Sequence, residues 1–333
     1  GCVEGHCDCM YLVNTYRWDY FLVAALVAPR PLLICNTDKD SIFPLDGVVR
    51  LHGQVRQIYD LYDLPDHLGL VITEGPHKDT QELQLPVLRW FNRWLKNDET
   101  PVANFAEKLF TPEQLKVFQT LPQDEITSRC YEDFTLLANE SETFSPDDAL
   151  TVLRLKTFGA WPSTGAIEIG SKLIAEQVID GVCISVREFT SQENCNLRFY
   201  HMQPVGSAST SIHIDIVDEE GWQERLRIVG QPLKSLLFDE LQVEARSINE
   251  TGGTVESDFR QFSDLLQEIR EQRKSAIAFA PRGIGLSKLS GDSKYQTHLR
   301  RRYMLLGATL ASTQVWDVLR CFEEIRSLDG HDH

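Results

Sequence analysis

No run in the sequence approaches the ~18 apolar residues that a membrane-crossing helix needs, so no membrane role is expected. No signal-peptide pattern is visible either. The chain opens on Gly1-Cys2-Val3 as if inside a domain, so any targeting segment is expected upstream and no compartment is assigned. Positive charge is scarce: 33 Lys and Arg stand against 49 Asp and Glu, a net charge of −16. That balance argues against nucleic acid as a partner, which requires clustered cations, and favours a neutral small molecule. The one basic run, Arg300-Arg301-Arg302, reads as a solvated face at a helix start. The eight cysteines are scattered, so no disulfide framework is expected. Cys2, His6, Cys7 and Cys9 do cluster, but Cys-x-Cys with one histidine and no second ligand pair is poor zinc spacing. No metal is expected there. Residues 165–172, GAIEIGSK, nearly match a phosphate loop. Their order Gly-Ser-Lys moves the lysine off the position that reaches phosphates, and no strong strand precedes them. No nucleotide or other cofactor is expected.

With 333 residues, 42% hydrophobic and 25% charged, the chain suits about two packed domains at ~100–200 residues each. The front half is organised around residues 28–44, APRPLLICNTDKDSIFP. Residues 31–35 form a short apolar run of the buried-strand kind, and a polar turn after it carries Asp40. A second apolar run, residues 68–73, is followed by Glu74-Gly75-Pro76-His77. Between them, Val48, Leu51, Val55, Ile58 and Leu61 recur at helical spacing, and Leu85, Leu88, Phe91 and Leu95 do so afterwards, with Pro86 suited to a first turn. Strand, helix, strand, helix is the grammar of a parallel sheet. Open α/β sheets place their chemistry at carboxyl strand ends, where Asp40 and His77 both stand. His52, inside the helix, and His67, before the second strand, read as structural or exposed.

This arrangement resembles the rear half of an α/β-hydrolase, whose acid lies in a Gly-x-x-Asp-x-x-x-Pro-like turn and whose histidine follows the last strand. More narrowly, GHCDCMYLVNTYRWDY and LFTPEQLKVFQTLPQDEI are similar to segments of bacterial acetyl xylan esterases and dienelactone-hydrolase-type proteins. The resemblance implies that Asp40 and His77 are the acid and base of a serine triad. Two departures are Thr37 in place of the usual glycine and Pro76 directly before the histidine. Within the resemblance, the cysteine cluster belongs to a loop lining the cleft. The aromatic stretch at 11–18 reads as core or as substrate contact.

The remainder divides in turn. Residues 98–150 are expected to be a helical connector, with Thr111-Pro112-Glu113-Gln114 as a helix start. From about residue 150, period-2 alternation at 182–187, 197–201 and 212–216 predicts an antiparallel sheet with one buried face. His201 and His213 fall on those strands as cross-strand neighbours. Residues 258–273 form an amphipathic helix with Phe259, Phe262, Leu265, Leu266 and Ile269 on one face. A strand at 276–280 and the loop Pro281-Arg282-Gly283-Ile284-Gly285 follow, resembling the Arg-Gly-x-Gly loop of the same fold, and residues 303–328 read as one helix.

The fold class is therefore α/β: a partial hydrolase-type parallel sheet (1–97), the connector (98–150), and a β-rich plus α/β second domain (151–333). The nucleophile elbow Gly-x-Ser-x-Gly appears nowhere; Gly285-Leu286-Ser287-Lys288-Leu289 lacks its second glycine. The expected reading is the rear half of one hydrolase domain plus the front half of a second, with the serine upstream. Its function would be carboxylic-ester hydrolysis on acetylated carbohydrate or a similar small ester. The alternative is a non-catalytic binding or scaffold protein on degenerate halves. A cysteine nucleophile, Cys35 or Cys9, ranks last because a buried-strand thiolate is disfavoured.

Overall fold

The computed structural model describes residues 13–102, 109–130, 132, 145–163, 165, 167–206, 209–251, 259–289 and 292–328. Cys2, His6, Cys7, Cys9 and Tyr11 lie outside them. The fold is α/β, in two compact units: Gly1–Cys9 with Arg17–Val152, and Met10–Tyr16 with Leu153–His333.

In the first unit, α1 (Tyr20–Ala25) precedes β1 (Leu32–Thr37), α2 (Leu45–Leu61), β2 (Leu68–Thr73) and α3 (Gln81–Phe91). The α2 crossover returns the chain so that β1 and β2 pair in parallel, from Leu32 opposite Leu68 to Thr37 opposite Thr73. The core is small. Val55 and Tyr59 of α2 are fully buried against Leu68, Leu32 and Ile34, and the Tyr59 hydroxyl donates to the Arg30 carbonyl at 2.5 Å. Gly69 allows the closest approach in this layer, since a Cβ there would sit 2.6 Å from Leu33 Cδ1 and 2.9 Å from the Trp90 ring. Gly69→Ala is expected to cost about 1–3 kcal/mol through overpacking, read as a lowered urea midpoint at unchanged slope.

The start of α3 differs from the expectation. Thr80 caps it, its hydroxyl accepting the Leu83 amide at 3.4 Å, so the helix begins at Gln81 and Pro86 falls in its interior. The cap satisfies an orphan donor of the first turn. Part of the expected helical connector, residues 103–108, 131 and 133–144, lies outside the described residues. Among the described residues of 98–150 helix is found in α4 (Pro112–Leu115), at Cys130 and Glu132, and in α5 (Pro146–Val152). Thr111 does make the capping box with Gln114. A four-residue helix nonetheless lacks packing to extend it: Leu115, Val117 and Phe118 are all exposed. Tyr16 and Trp18 are likewise exposed, so neither is core.

The second unit holds a five-stranded sheet in the order β3-β4-β5-β7-β6, with β3 (Lys172–Ile179), β4 (Val182–Gln192), β5 (Cys195–Pro204), β6 (Ser211–Ile216) and β7 (Lys274–Phe279). The β3, β4, β5 and β7 neighbours are antiparallel. β6, expected to be antiparallel, pairs with β7 in parallel. The helices α6 (Glu219–Val229), α7 (Phe238–Thr251) and α8 (Phe259–Gln272) lie between them in sequence and form the crossover that parallel pairing demands.

Both faces of the sheet are covered, not one. Val182, Ile184, Val186, Tyr200 and Met202 pack under Trp222, Leu226, Phe262 and Leu266. Phe189, Leu197, Phe199, Ile277 and Phe279 pack on the opposite face with Cys321 and Ile325 of α10 (Leu310–Leu328). Alternation looks one-sided because the second face is populated by other stretches of the same strands. It is clearest on β6, where the edge position leaves Ile212 and Ile216 about half exposed.

The expected helix at 303–328 is two. Helix α9 (Ser293–Leu305) ends before Gly307, whose φ of 75° stops a right-handed helix, and α10 then begins at Leu310. Arg300, Arg301 and Arg302 therefore lie in the later turns of α9, not at its start, where cations complement the carboxyl-end dipole. In the phosphate-loop look-alike, residues 167–171 are irregular chain leading into a strand, the reverse of strand, loop, helix, and the Glu168 carbonyl accepts from Arg320 at 3.2 Å.

Candidate active site

Equal strand register makes the site. Because Thr37 and Thr73 are opposite, the β1 and β2 chains leave the sheet at one level, and their loops bond as they go. The Asp38 amide donates to Thr73 O (2.9 Å) and the Lys39 amide to Gly75 O (3.0 Å). The Gly75 amide donates to the Asp38 carboxylate at 2.9 Å, and Thr37 Oγ1 donates to Pro76 O at 2.9 Å. Gly75 has a φ of 139°, open to glycine and strained for other residues. The Lys39–Glu74 pair at 2.6 Å is exposed on both sides and adds little.

At the tip of these loops the Asp40 carboxylate and the His77 ring meet, Oδ2 to Nδ1 at 2.8 Å. The other oxygen, Oδ1, accepts the Ile42 and Phe43 amides at 2.8 and 2.9 Å. The Asp40 side chain is 3% exposed and His77 is 38% exposed, so the acid is enclosed while the imidazole faces outward. Burial pushes the Asp40 pKa up, but the Phe43 amide, His77 and the Ile42 amide outweigh it and hold the carboxyl below its ordinary value. An ionised carboxylate only accepts hydrogen bonds, so Nδ1 is the donor and Nε2 carries the lone pair. Phe43 lies beside the imidazole, ring centroids 5.7 Å apart. Asn36 ties the turn by donating to the Thr37 and Phe43 carbonyls at 2.9 and 3.0 Å.

Asp40 and His77 line a cleft of about 520 Å³ together with Tyr20, Phe21, Asn36 and Arg50. Cys35 also lines it. Burial, and then Asp79, raise that thiol's pKa, which disfavours a thiolate nucleophile. Cys9 lies outside the described residues.

Among the described residues, none of the other candidates lines this cleft. His52 sits in α2, where burial and then Arg56 lower its pKa. His67 Nδ1 is 2.8 Å from the Pro29 carbonyl and edge-on to Trp94. His201 bonds across strands to Ser275. His213 bonds Asp215 of its own edge strand at 2.9 Å, an exposed contact in which Arg225 shares the carboxylate. Ser287 is a turn former: its hydroxyl donates to Ile284 O and accepts the Gly283 amide, each at 3.1 Å. Arg282 is turned inward onto Asp317. Among the described residues no group of three or more His, Cys, Asp or Glu is placed to hold a metal.

Sequence reading missed Asn36, Thr37, Asp38 and Gly75 as the residues that hold the pair. Short polar side chains in a turn were the available signal, but the partners of Thr37 and Asp38 lie in the other loop. No family model and no curated protein sequence matches the chain. A Bacteroides fragilis crystal structure, of a protein proposed to be an acetyl xylan esterase, is similar at 14% identity and a TM-score of 0.34. The match covers 55% of this chain and 45% of that one, so the chain spans less than half the length of that neighbour.

Proposed function

We propose that Asp40 and His77 are the acid and base of a serine carboxylic-ester hydrolase of the acetyl xylan esterase kind, acting on acetylated carbohydrate or a similar small ester. The supporting observation is the 2.8 Å bond from His77 Nδ1 to an enclosed, ionised Asp40 at the carboxyl ends of parallel strands. In this reading Nε2 takes the proton from a serine hydroxyl as it attacks the ester carbonyl, and later returns it to the leaving alcohol. Asp40 keeps the ring in the tautomer that leaves Nε2 basic, and stabilises the imidazolium once formed.

The chain order nucleophile, acid, histidine puts the serine before Asp40, and residues 1–39 contain none. The chain alone is therefore expected to leave p-nitrophenyl acetate hydrolysis at background. Joined to upstream sequence that supplies the serine, it is expected to turn the ester over, with His77→Ala lowering kcat about 10⁶-fold. Turnover by the chain alone that vanishes in His77→Ala would place the nucleophile inside it. An inert joined protein would favour a binding role.

A further inference from the structure

We infer that Thr37 is the positioning residue of the Asp40–His77 pair, its hydroxyl latching the histidine loop at the height where imidazole meets carboxylate. The inference rests on the proposed acid–base roles. Beyond the ends of β1 and β2 the two loops are held by backbone donors in turn: Asp38 N to Thr73 O, Lys39 N to Gly75 O, and Gly75 N to the Asp38 carboxylate. The next residue is Pro76, which has no amide hydrogen, so the backbone has no donor to offer immediately before His77. Thr37 bonds the Pro76 carbonyl at 2.9 Å from a side chain that is almost wholly buried. Its backbone belongs to the strand and its hydroxyl to the opposite loop, so it references the histidine directly to the sheet.

The surrounding contacts separate this role from support of Asp40. Ile42 and Phe43 amides hold Oδ1 of Asp40 from within its own turn, and Asn36 ties that turn to itself through the Phe43 carbonyl. None of those bonds reaches the 75–77 segment. Removing the Thr37 hydroxyl should leave the carboxylate in place and free the ring to move away from it. An imidazole released from the carboxylate no longer has Nδ1 as its obligatory donor, and the tautomer required for base catalysis is lost from part of the population.

The experiment is a two-bond proton–nitrogen correlation spectrum of the His77 ring, recorded on the chain itself with no substrate. The unaltered protein is expected to show one tautomer, protonated on Nδ1. In Thr37→Val that tautomer's share is expected to fall by at least half, while Thr37→Ser, which restores a hydroxyl, retains it. Amide exchange at Ile42 and Phe43 should stay as in the parent in both variants. A Thr37→Val ring spectrum identical to the parent would overturn the inference. So would loss of folding in both Thr37→Val and Thr37→Ala, because the hydroxyl would then hold up the unit and not the ring. The esterase reading fails on turnover and this inference on the ring spectrum, so the two failures are distinguishable.

Discussion

Asp317→Ala is expected to destabilise the second unit by about 3–5 kcal/mol, the cost of leaving a buried charge without its partner. Asp317 is fully buried and holds Arg282 through a bidentate contact, Nε to Oδ2 at 2.8 Å and Nη2 to Oδ1 at 2.7 Å. The same carboxylate accepts the Arg282 amide at 3.0 Å and the Ser191 hydroxyl at 2.5 Å. Burial alone would pull the arginine's pKa down, but the Asp317 contact overrides it and the guanidinium is held above its ordinary range. The four bonds tie β4, the loop after β7 and α10 at one point, with the Trp316 indole donating to Ser191 O at 2.8 Å beside it. Near-UV circular dichroism should report the loss through Trp316. The double variant Arg282→Met with Asp317→Leu, which removes both charges, is expected to cost less than Asp317→Ala alone. A double variant less stable than Asp317→Ala would show that shape, not charge pairing, dominates there.

Asp40→Ala is expected to cost the first unit about 3 kcal/mol, because it deletes the acceptor of three bonds, two from backbone amides and one from His77. The loss should also change how stability depends on pH. The Asp40 carboxyl titrates below its unfolded value, which is about 3.9 for a free aspartate. Its contribution is therefore fully present above about pH 4 to 5 and is lost as pH falls through the lower folded value. Urea midpoints at pH 7 and pH 3 should differ less in Asp40→Ala than in the parent. An unchanged difference would mean that other carboxyls carry the acid sensitivity. Under the proposed function, with the serine supplied, the same substitution is expected to reduce kcat by about 10⁴-fold, as removal of a tautomer-setting acid would.

Much of the local structure was legible from residue order. The apolar runs at β1 and β2 announce strands, which are mostly half-buried and not the buried ones expected, and the spacing from Val48 to Leu61 announces α2. Thr111 and Gln114 announce a cap that forms as written. Asp40 and His77 stood out because each follows an apolar run by a few polar residues. Those are short-range properties: side-chain periodicity and capping depend on neighbours within one or two turns.

What only the tertiary structure decided is which distant groups share a level, a face or an edge. That Thr37 stands opposite Thr73 sets both loops to one height, and this register, with the bonds between the loops, brings the Asp40 and His77 side chains to 2.8 Å. The parallel pairing of β6 with β7 follows from the helices between them, and the second covered face of the sheet from where α10 packs. The Arg282–Asp317 pair joins residues 35 apart, and Thr37 reaches Pro76 across 39. Periodicity along a chain carries no register between strands, and a polar residue in a turn does not name its acceptor. Both are set when the hydrophobic faces close and every buried donor must find a partner.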